Sequence, residues 1–332
     1  MAAFVWRGSK NRKKNFQANP ARQGTLKMRY AYYPGCSSES SARDQHSSSL
    51  AVARALGMDF VEIKGWSCCG STPGHQTDRV LAASLSAANL LLAQDMGFDI
   101  VVNCAACYNR LKMANYEVSR HPELRKKVAD AMGRDYDGSV KVKHLMEVLL
   151  EDYGTNALKA ALKYSLNGLK IASYYGCLLV RPHEVTLFDD PENPRSLDTL
   201  VKIMGGESLD WPCKVECCGN SLSLTTRSNL VVGFSDSIIG MARAAGAECI
   251  TVACPLCQVN LDLRQADIRK MTGKQYDMPI LYITQLMGLC LGVSREELGL
   301  EKLVVSPSWV VKKIEGAAES MDPEWSNQGR RI

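Results

Sequence analysis

Residues 97 to 107 read Gly97-Phe98-Asp99-Ile100-Val101-Val102-Asn103-Cys104-Ala105-Ala106-Cys107. Ile100, Val101 and Val102 form a short apolar run that reads as a strand, and a C-x2-C stands just past its end. Upstream, Thr77 to Met96 carries Leu81, Leu85, Ala88 and Leu92 at helical spacing on one face, with Gly97 where the helix must stop. The same order recurs later in the chain. A helical stretch from about Asn229 to Ala245 meets Gly246, then the strand Cys249 to Val252, then Cys254-Pro255-Leu256-Cys257.

Working outward, each C-x2-C has a vicinal pair before it, Cys68-Cys69-Gly70 in one case and Cys217-Cys218-Gly219 in the other. Each vicinal pair has a single cysteine before it. Tyr32-Tyr33-Pro34-Gly35-Cys36 is matched by Tyr174-Tyr175-Gly176-Cys177, each following a stretch that reads as a strand, Tyr30 to Tyr33 and Ile171 to Tyr175. Ten of the thirteen cysteines fall into this repeat, spaced C-x31-C-C-x34-C-x2-C and then C-x39-C-C-x35-C-x2-C. The nearly constant second interval implies one supersecondary unit, and the first interval tolerates a longer loop. Side chains at the carboxyl ends of neighbouring strands converge on the crevice where open α/β sheets bind cofactors. The expected fold class is therefore α/β, with two pseudo-symmetric cysteine-rich domains, each an open, mostly parallel sheet flanked by helices. Their expected extents are 28–155 and 168–315. Leu145 to Tyr153 reads as a helix before the linker, and Asp189-Asp190-Pro191-Glu192-Asn193-Pro194 as a loop. A basic, disordered arm is expected over 1–27 and a flexible tail over 316–332.

The formal net charge of +5 is concentrated in that arm, where Arg7, Lys10, Arg12, Lys13, Lys14, Arg22 and Lys27 have no acidic partner. The body after Met28 is close to neutral, which argues against a nucleic-acid surface. The sequence has no continuous apolar stretch of membrane-spanning length and no signal-peptide core, so a cytoplasmic protein without a membrane span is expected. In that compartment thiols stay reduced, and so many cysteines point to metal ligation or redox catalysis rather than to disulfides.

Five thiols per repeat exceed the four that a tetrahedral zinc ion takes. An iron-sulfur cluster has more ligand positions and is held by cysteine thiolates. The residues alone leave zinc, dithiol redox chemistry and plain packing as alternatives. Outside the repeat, Cys249 and Cys290 sit in apolar stretches and read as buried hydrophobes, and Cys213 reads as a neighbour of the second group rather than a ligand.

The duplicated arrangement of Cys36, Cys68, Cys69, Cys104 and Cys107, then Cys177, Cys217, Cys218, Cys254 and Cys257, resembles the cysteine-rich CCG domain. With two intact copies the chain resembles the B subunit of heterodisulfide reductase, over about Met28 to Lys313. The Asp189 to Pro194 loop and Glu297-Leu298-Gly299-Leu300 are similar to stretches of that protein. The resemblance implies two [4Fe-4S] clusters of the noncubane kind, cluster 1 on the first five cysteines and cluster 2 on the second five. It implies an oxidoreductase acting on a sulfur group, a catalytic subunit that reduces or forms a disulfide between its clusters. The implied partners are two further subunits of a complex, one ferredoxin-like and iron-sulfur, the other FAD-containing, with a small-molecule or protein-bound disulfide as substrate. Related proteins suggest two alternatives: a subunit that oxidises sulfane or persulfide, and a non-catalytic electron-transfer subunit of a hydroxyacid-oxidising complex. Beyond the cluster ligands no catalytic residue is assigned. Arg43, Arg79, Arg181 and Arg227 are candidates to steer an anionic substrate, each more simply read as a surface charge, and His75 and His183 are the histidines nearest the motifs.

Overall fold

A computed structural model of the protein describes residues 28–71, 73–223 and 228–316. The expected arm over 1–27, the tail beyond 316 and Arg227 lie outside the described residues. The described residues form two four-stranded sheets. In the first, β1 (Arg29–Tyr33), β2 (Asp59–Glu62), β3 (Ile100–Val102) and β4 (Val142–His144) lie in the order β2-β1-β3-β4. In the second, β5 (Lys170–Tyr174), β6 (Glu207–Ser208), β7 (Cys249–Val252) and β8 (Ile280–Tyr282) lie in the order β6-β5-β7-β8. Every pairing is parallel.

Parallel pairing follows from the connections, because a helix of suitable length separates successive strands and returns the chain to the same end of the sheet. The helix Arg79–Met96 shows how sharply the sequence sets these ends. The Asp78 carboxylate accepts the Leu81 N–H at 2.8 Å to start it, and Gly97, at φ 71°, closes it in a left-handed turn. The strand that follows, Ile100 to Val102, is wholly buried. Each such aliphatic side chain contributes about 1.5–3 kcal/mol by leaving water.

The face of Leu81, Leu85, Ala88 and Leu92 is not the most buried one: Leu81 is 43% exposed, Leu85 and Ala88 are half-buried, and Leu92 packs against the core from a half-buried position. The buried side carries Ala83, Ser86, Ala87, Asn89, Leu90, Leu91 and Ala93, and the helix packs chiefly on the helix Ala105–Arg120. Leu85 covers Gly70, where a Cβ would stand 2.7 Å from its Cδ1. Leu85 thus shields the loop of the vicinal cysteines.

Between the sheets, the expected helix near Leu145 is a short α-helical turn, Leu145–Glu147, that widens into a π-helical one over Val148–Gly154. The helix Thr155–Ala161 occupies the expected linker. The halves then pack on each other by two seams. In one, the helix Arg43–Ala55 meets the helix Ile283–Leu291, with Ser48 and Thr284 hydroxyls 2.7 Å apart, Gln285 donating to Asp44 and Arg54 paired to Glu297 at 2.8 Å. In the other, the helix Ala105–Arg120 meets the loop after β5, where Asn109 donates to the carbonyls of Leu178 and Arg181. No helix among the described residues is long and apolar enough to cross a membrane.

Candidate metal centres

The order of each sheet reverses between β1 and β3, and between β5 and β7, and at such switch points the loops past the strand ends part to leave a crevice. Cys36 follows β1 and Cys104 follows β3; Cys177 and Cys254 follow β5 and β7. The cysteines therefore meet because of topology. In the first half the Cys36 and Cys68 sulfurs lie 3.8 Å apart and those of Cys69 and Cys107 3.5 Å apart, with Cys104 against Cys107. In the second, Cys218 and Cys257 lie 3.6 Å apart, Cys177 touches Cys217, and Cys254 touches Cys257. The ten repeat cysteines form two groups of five.

The backbone is shaped to permit this. Gly35 and Gly176 hold φ of 76° and 67°, and a Cβ there would stand 3.1 Å from the Cys107 sulfur and 3.0 Å from the Cys257 sulfur. Both are glycine because the turn is left-handed and because the thiol occupies the space of a side chain. The vicinal loops are tied down by the strand tyrosines. The Tyr33 hydroxyl donates to the carbonyl of Ser67, just before Cys68, and the Tyr174 hydroxyl donates to that of Glu216, just before Cys217, both at 2.7 Å. Tyr33 and Tyr174 thus correspond, one place off the register suggested by the doubled tyrosines.

Within each group the crowded thiols split, one or two lowered and their partners, such as Cys107 and Cys257, pushed up by neighbouring sulfurs and burial. Cys68 is lowered to about 2, chiefly by Cys36 and then by Cys69, with help from the N–H groups of Gly70 and Ser71. Cys36 is pushed up by the same contact, so this pair shares one proton. Cys217 is lowered to about 6 by Cys177 and by the Gly219 N–H. Cys254 is held well below the usual thiol range, first by Cys104 of the other half, then by Cys257 and by N–H groups opening the helix Pro255–Thr272. Cys104 and Cys254 therefore face each other where the two groups abut.

This donor set fits iron-sulfur clusters: five clustered thiols in each half, several disposed to ionise, in a cradle where a Cβ would intrude. Among the described residues, no group of three or more His, Cys, Asp or Glu side chains gathers as the site of one metal ion. A cleft opens beside the second group. Ala105 and Ala106 line one side, and Cys177, Leu178, Cys217 and Leu256 line the other.

A family model for the cysteine-rich CCG domain matches residues 30–112 and 171–262. The chain is 32% identical over 265 residues to the B subunit of the ferredoxin/F420H2-dependent CoB-CoM heterodisulfide reductase of Methanosarcina acetivorans, covering 78% of this chain and 88% of that one. It belongs to the family of heterodisulfide reductase B subunits. A second family relative is the membrane anchor subunit of the 8-methylmenaquinol:fumarate reductase of Wolinella succinogenes, 32% identical over 281 residues, 84% of this chain and 98% of that one. In fold, this family member is similar to a hypothetical protein from Helicobacter pylori, with a TM-score of 0.66 and 13% identity over 86% of this chain and 52% of that one.

Three of the candidate arginines bond elsewhere. Arg43 donates to the Glu39 carbonyl at 3.1 Å, Arg79 pairs with Glu117 at 2.9 Å, and Arg181 pairs with Glu192 at 2.8 Å. His75 and His183 are exposed. Cys213, Cys249 and Cys290 are buried, and Cys213 is pushed up by burial and by Glu216 rather than by a neighbouring thiol. The histidine at the centre is His144, at the end of β4. Its Nε2 stands 3.1 Å from the Asn103 carbonyl and 3.2 Å from that of Ala253, and burial lowers it to about 4, so it is neutral. Sequence reading missed it because it lies 37 residues past Cys107 in no cysteine motif. The signal present was local: His144 and Glu147 form a capping box, as Tyr282 and Gln285 do in the second half.

Proposed function

We propose that this chain is the catalytic subunit of a heterodisulfide reductase-like complex. Each five-cysteine group would hold one [4Fe-4S] cluster of the noncubane kind, the first on Cys36, Cys68, Cys69, Cys104 and Cys107, the second on Cys177, Cys217, Cys218, Cys254 and Cys257. The observation that carries the reading is the contact of Cys104 with Cys254, which sets the two groups side by side next to one cleft. Clusters held there would supply one-electron transfer and an iron able to take a thiolate.

The chain's own residues supply the setting. Ala105, Ala106, Leu178 and Leu256 give the cleft apolar walls that exclude water around a disulfide. The N–H groups of Gly70, Ser71 and Gly219 stabilise sulfur charge at the cleft's rim. Electrons would come from a ferredoxin-like iron-sulfur subunit, itself fed by an FAD-containing one. Purification without oxygen, followed by oxidation with and without thiols, tests this. A thiol-dependent paramagnetic signal is expected, and its absence with any thiol would refute the catalytic role.

The similarity to a fumarate reductase subunit favours one second reading, an electron-transfer subunit whose clusters never bind a thiol. It predicts intact clusters with no response to thiols.

A further inference from the structure

His144 is 1% exposed and closes β4, the strand beside β3. Its Nδ1 accepts the Met146 N–H at 3.3 Å, which places the ring proton on Nε2. That one N–H points between two carbonyls, of Asn103 at 3.1 Å and of Ala253 at 3.2 Å. These carbonyls belong to the peptides that lead directly into Cys104 and Cys254, the two cysteines that meet across the halves. The ring is held in place edge-on to Tyr108, with centroids 5.8 Å apart, immediately after Cys107. The second half has no such bridge at the matching place, because the Tyr282 hydroxyl donates to Gln258 of its own half at 3.4 Å.

We propose that His144 is a positioning residue that fixes the spacing of the two metal centres by donating one shared hydrogen bond to both C-x2-C loops. The proposal rests on each group holding a cluster. The Asn103 carbonyl also accepts from Gln45 at 3.0 Å, so the first loop stays anchored without His144. The second loop loses this direct tie to the first, and although the two seams still seat the halves, the local spacing of the two C-x2-C loops relaxes. Two centres acting on one sulfur-sulfur bond need that distance held, since a misplacement of about 1 Å costs on the order of a hundredfold in rate.

The test compares the native chain, His144→Leu and His144→Gln, purified without oxygen and carrying their clusters. Iron and sulfide are counted, and the paramagnetic spectrum is recorded with both centres spin-active. The native chain shows splitting from spin-spin interaction. His144→Leu keeps the native iron and sulfide but loses or changes that splitting, and His144→Gln, whose amide N–H reaches to a similar place, restores it. Native splitting in His144→Leu overturns the proposal, as does loss of a single cluster in both variants, which would make His144 a support of one loop. If His144→Leu does not fold, His144→Gln decides alone: native splitting upholds the proposal and altered splitting overturns it. A native chain without iron and sulfide removes the cluster reading itself, an outcome distinguishable because it needs no variant.

Discussion

Gly176→Ala adds a methyl group 3.0 Å from the Cys257 sulfur, at a backbone φ of 67°. Two costs follow, and Gly168→Ala separates them. Gly168 has φ 68° with nothing within 4 Å of its would-be Cβ, so alanine there suffers only the left-handed backbone, about 1–2 kcal/mol. For a chain of this size that lowers the melting temperature by roughly 1–3 °C. Gly176→Ala suffers the same and a clash besides. Ordinary contact begins near 3.4 Å, so the sulfur must retreat by 0.4 Å. It has nowhere to go, with Cys218 at 3.6 Å behind it and Cys254 beside it. Metal-ligand distances tolerate about 0.2 Å. Gly176→Ala should therefore lose iron and sulfide from the second group, up to half the native content, whereas Gly168→Ala keeps all of it. Calorimetry and iron analysis on the pair decide it. Equal iron in the two variants would refute the reasoning that the glycine exists to make room for the thiol.

Tyr33→Phe and Tyr174→Phe each remove one hydrogen bond of 2.7 Å to the carbonyl before a vicinal pair. Each should cost about 1–2 kcal/mol in denaturant titration and speed iron loss to a chelator from its own group, with the other group unaffected. Burial pushes the Glu147 carboxyl up to about 7 from 4.5, against the pull of Lys112 at 3.8 Å. The folded chain then holds the proton more tightly than the unfolded one, so stability is full below pH 4.5 and falls as pH rises through about 7. Glu147→Gln should recover up to about 3 kcal/mol at pH 8, measured by denaturation across pH. Asp44 and Asp262, pushed up to about 6 by burial, titrate in both chains and cancel in the comparison, so the gain grows between about pH 4.5 and 7 and is constant above it.

The central strands were legible because they are buried on both faces, so Ile100 to Val102 is an unbroken apolar run and Cys249 to Val252 one interrupted only by Thr251, each with a glycine shortly before and a cysteine after. The edge strands were not. Asp59–Glu62 is half exposed and Glu207–Ser208 spans two residues, so neither carries a periodic signal. The extent of the helix Arg79–Met96 was legible but its buried side was not, because Leu85 covers Gly70 while Ala83, Ser86, Ala87 and Asn89 turn inward beside Leu90 and Leu91. That cysteines far apart in sequence would gather was legible from repetition alone. The approach of Cys104 to Cys254 was not, since it depends on how the helix Arg43–Ala55 seats on the helix Ile283–Leu291, and the residues there, Ser48, Asp44, Thr284 and Gln285, look like surface positions in a string of letters. Of the side chains chosen by proximity to the motifs, Arg43, Arg79 and Arg181 bond to Glu39, Glu117 and Glu192, and the histidine at the centre carries no motif.

The central claim is that each five-cysteine group holds one cluster. Iron and acid-labile sulfide per chain, measured after purification without oxygen on the native protein, Cys69→Ser, Cys218→Ser and the double variant, test it most directly. About eight of each are expected in the native chain, about four in either single variant and close to none in the double. Zinc without sulfide, or single variants that keep the native content, would contradict it.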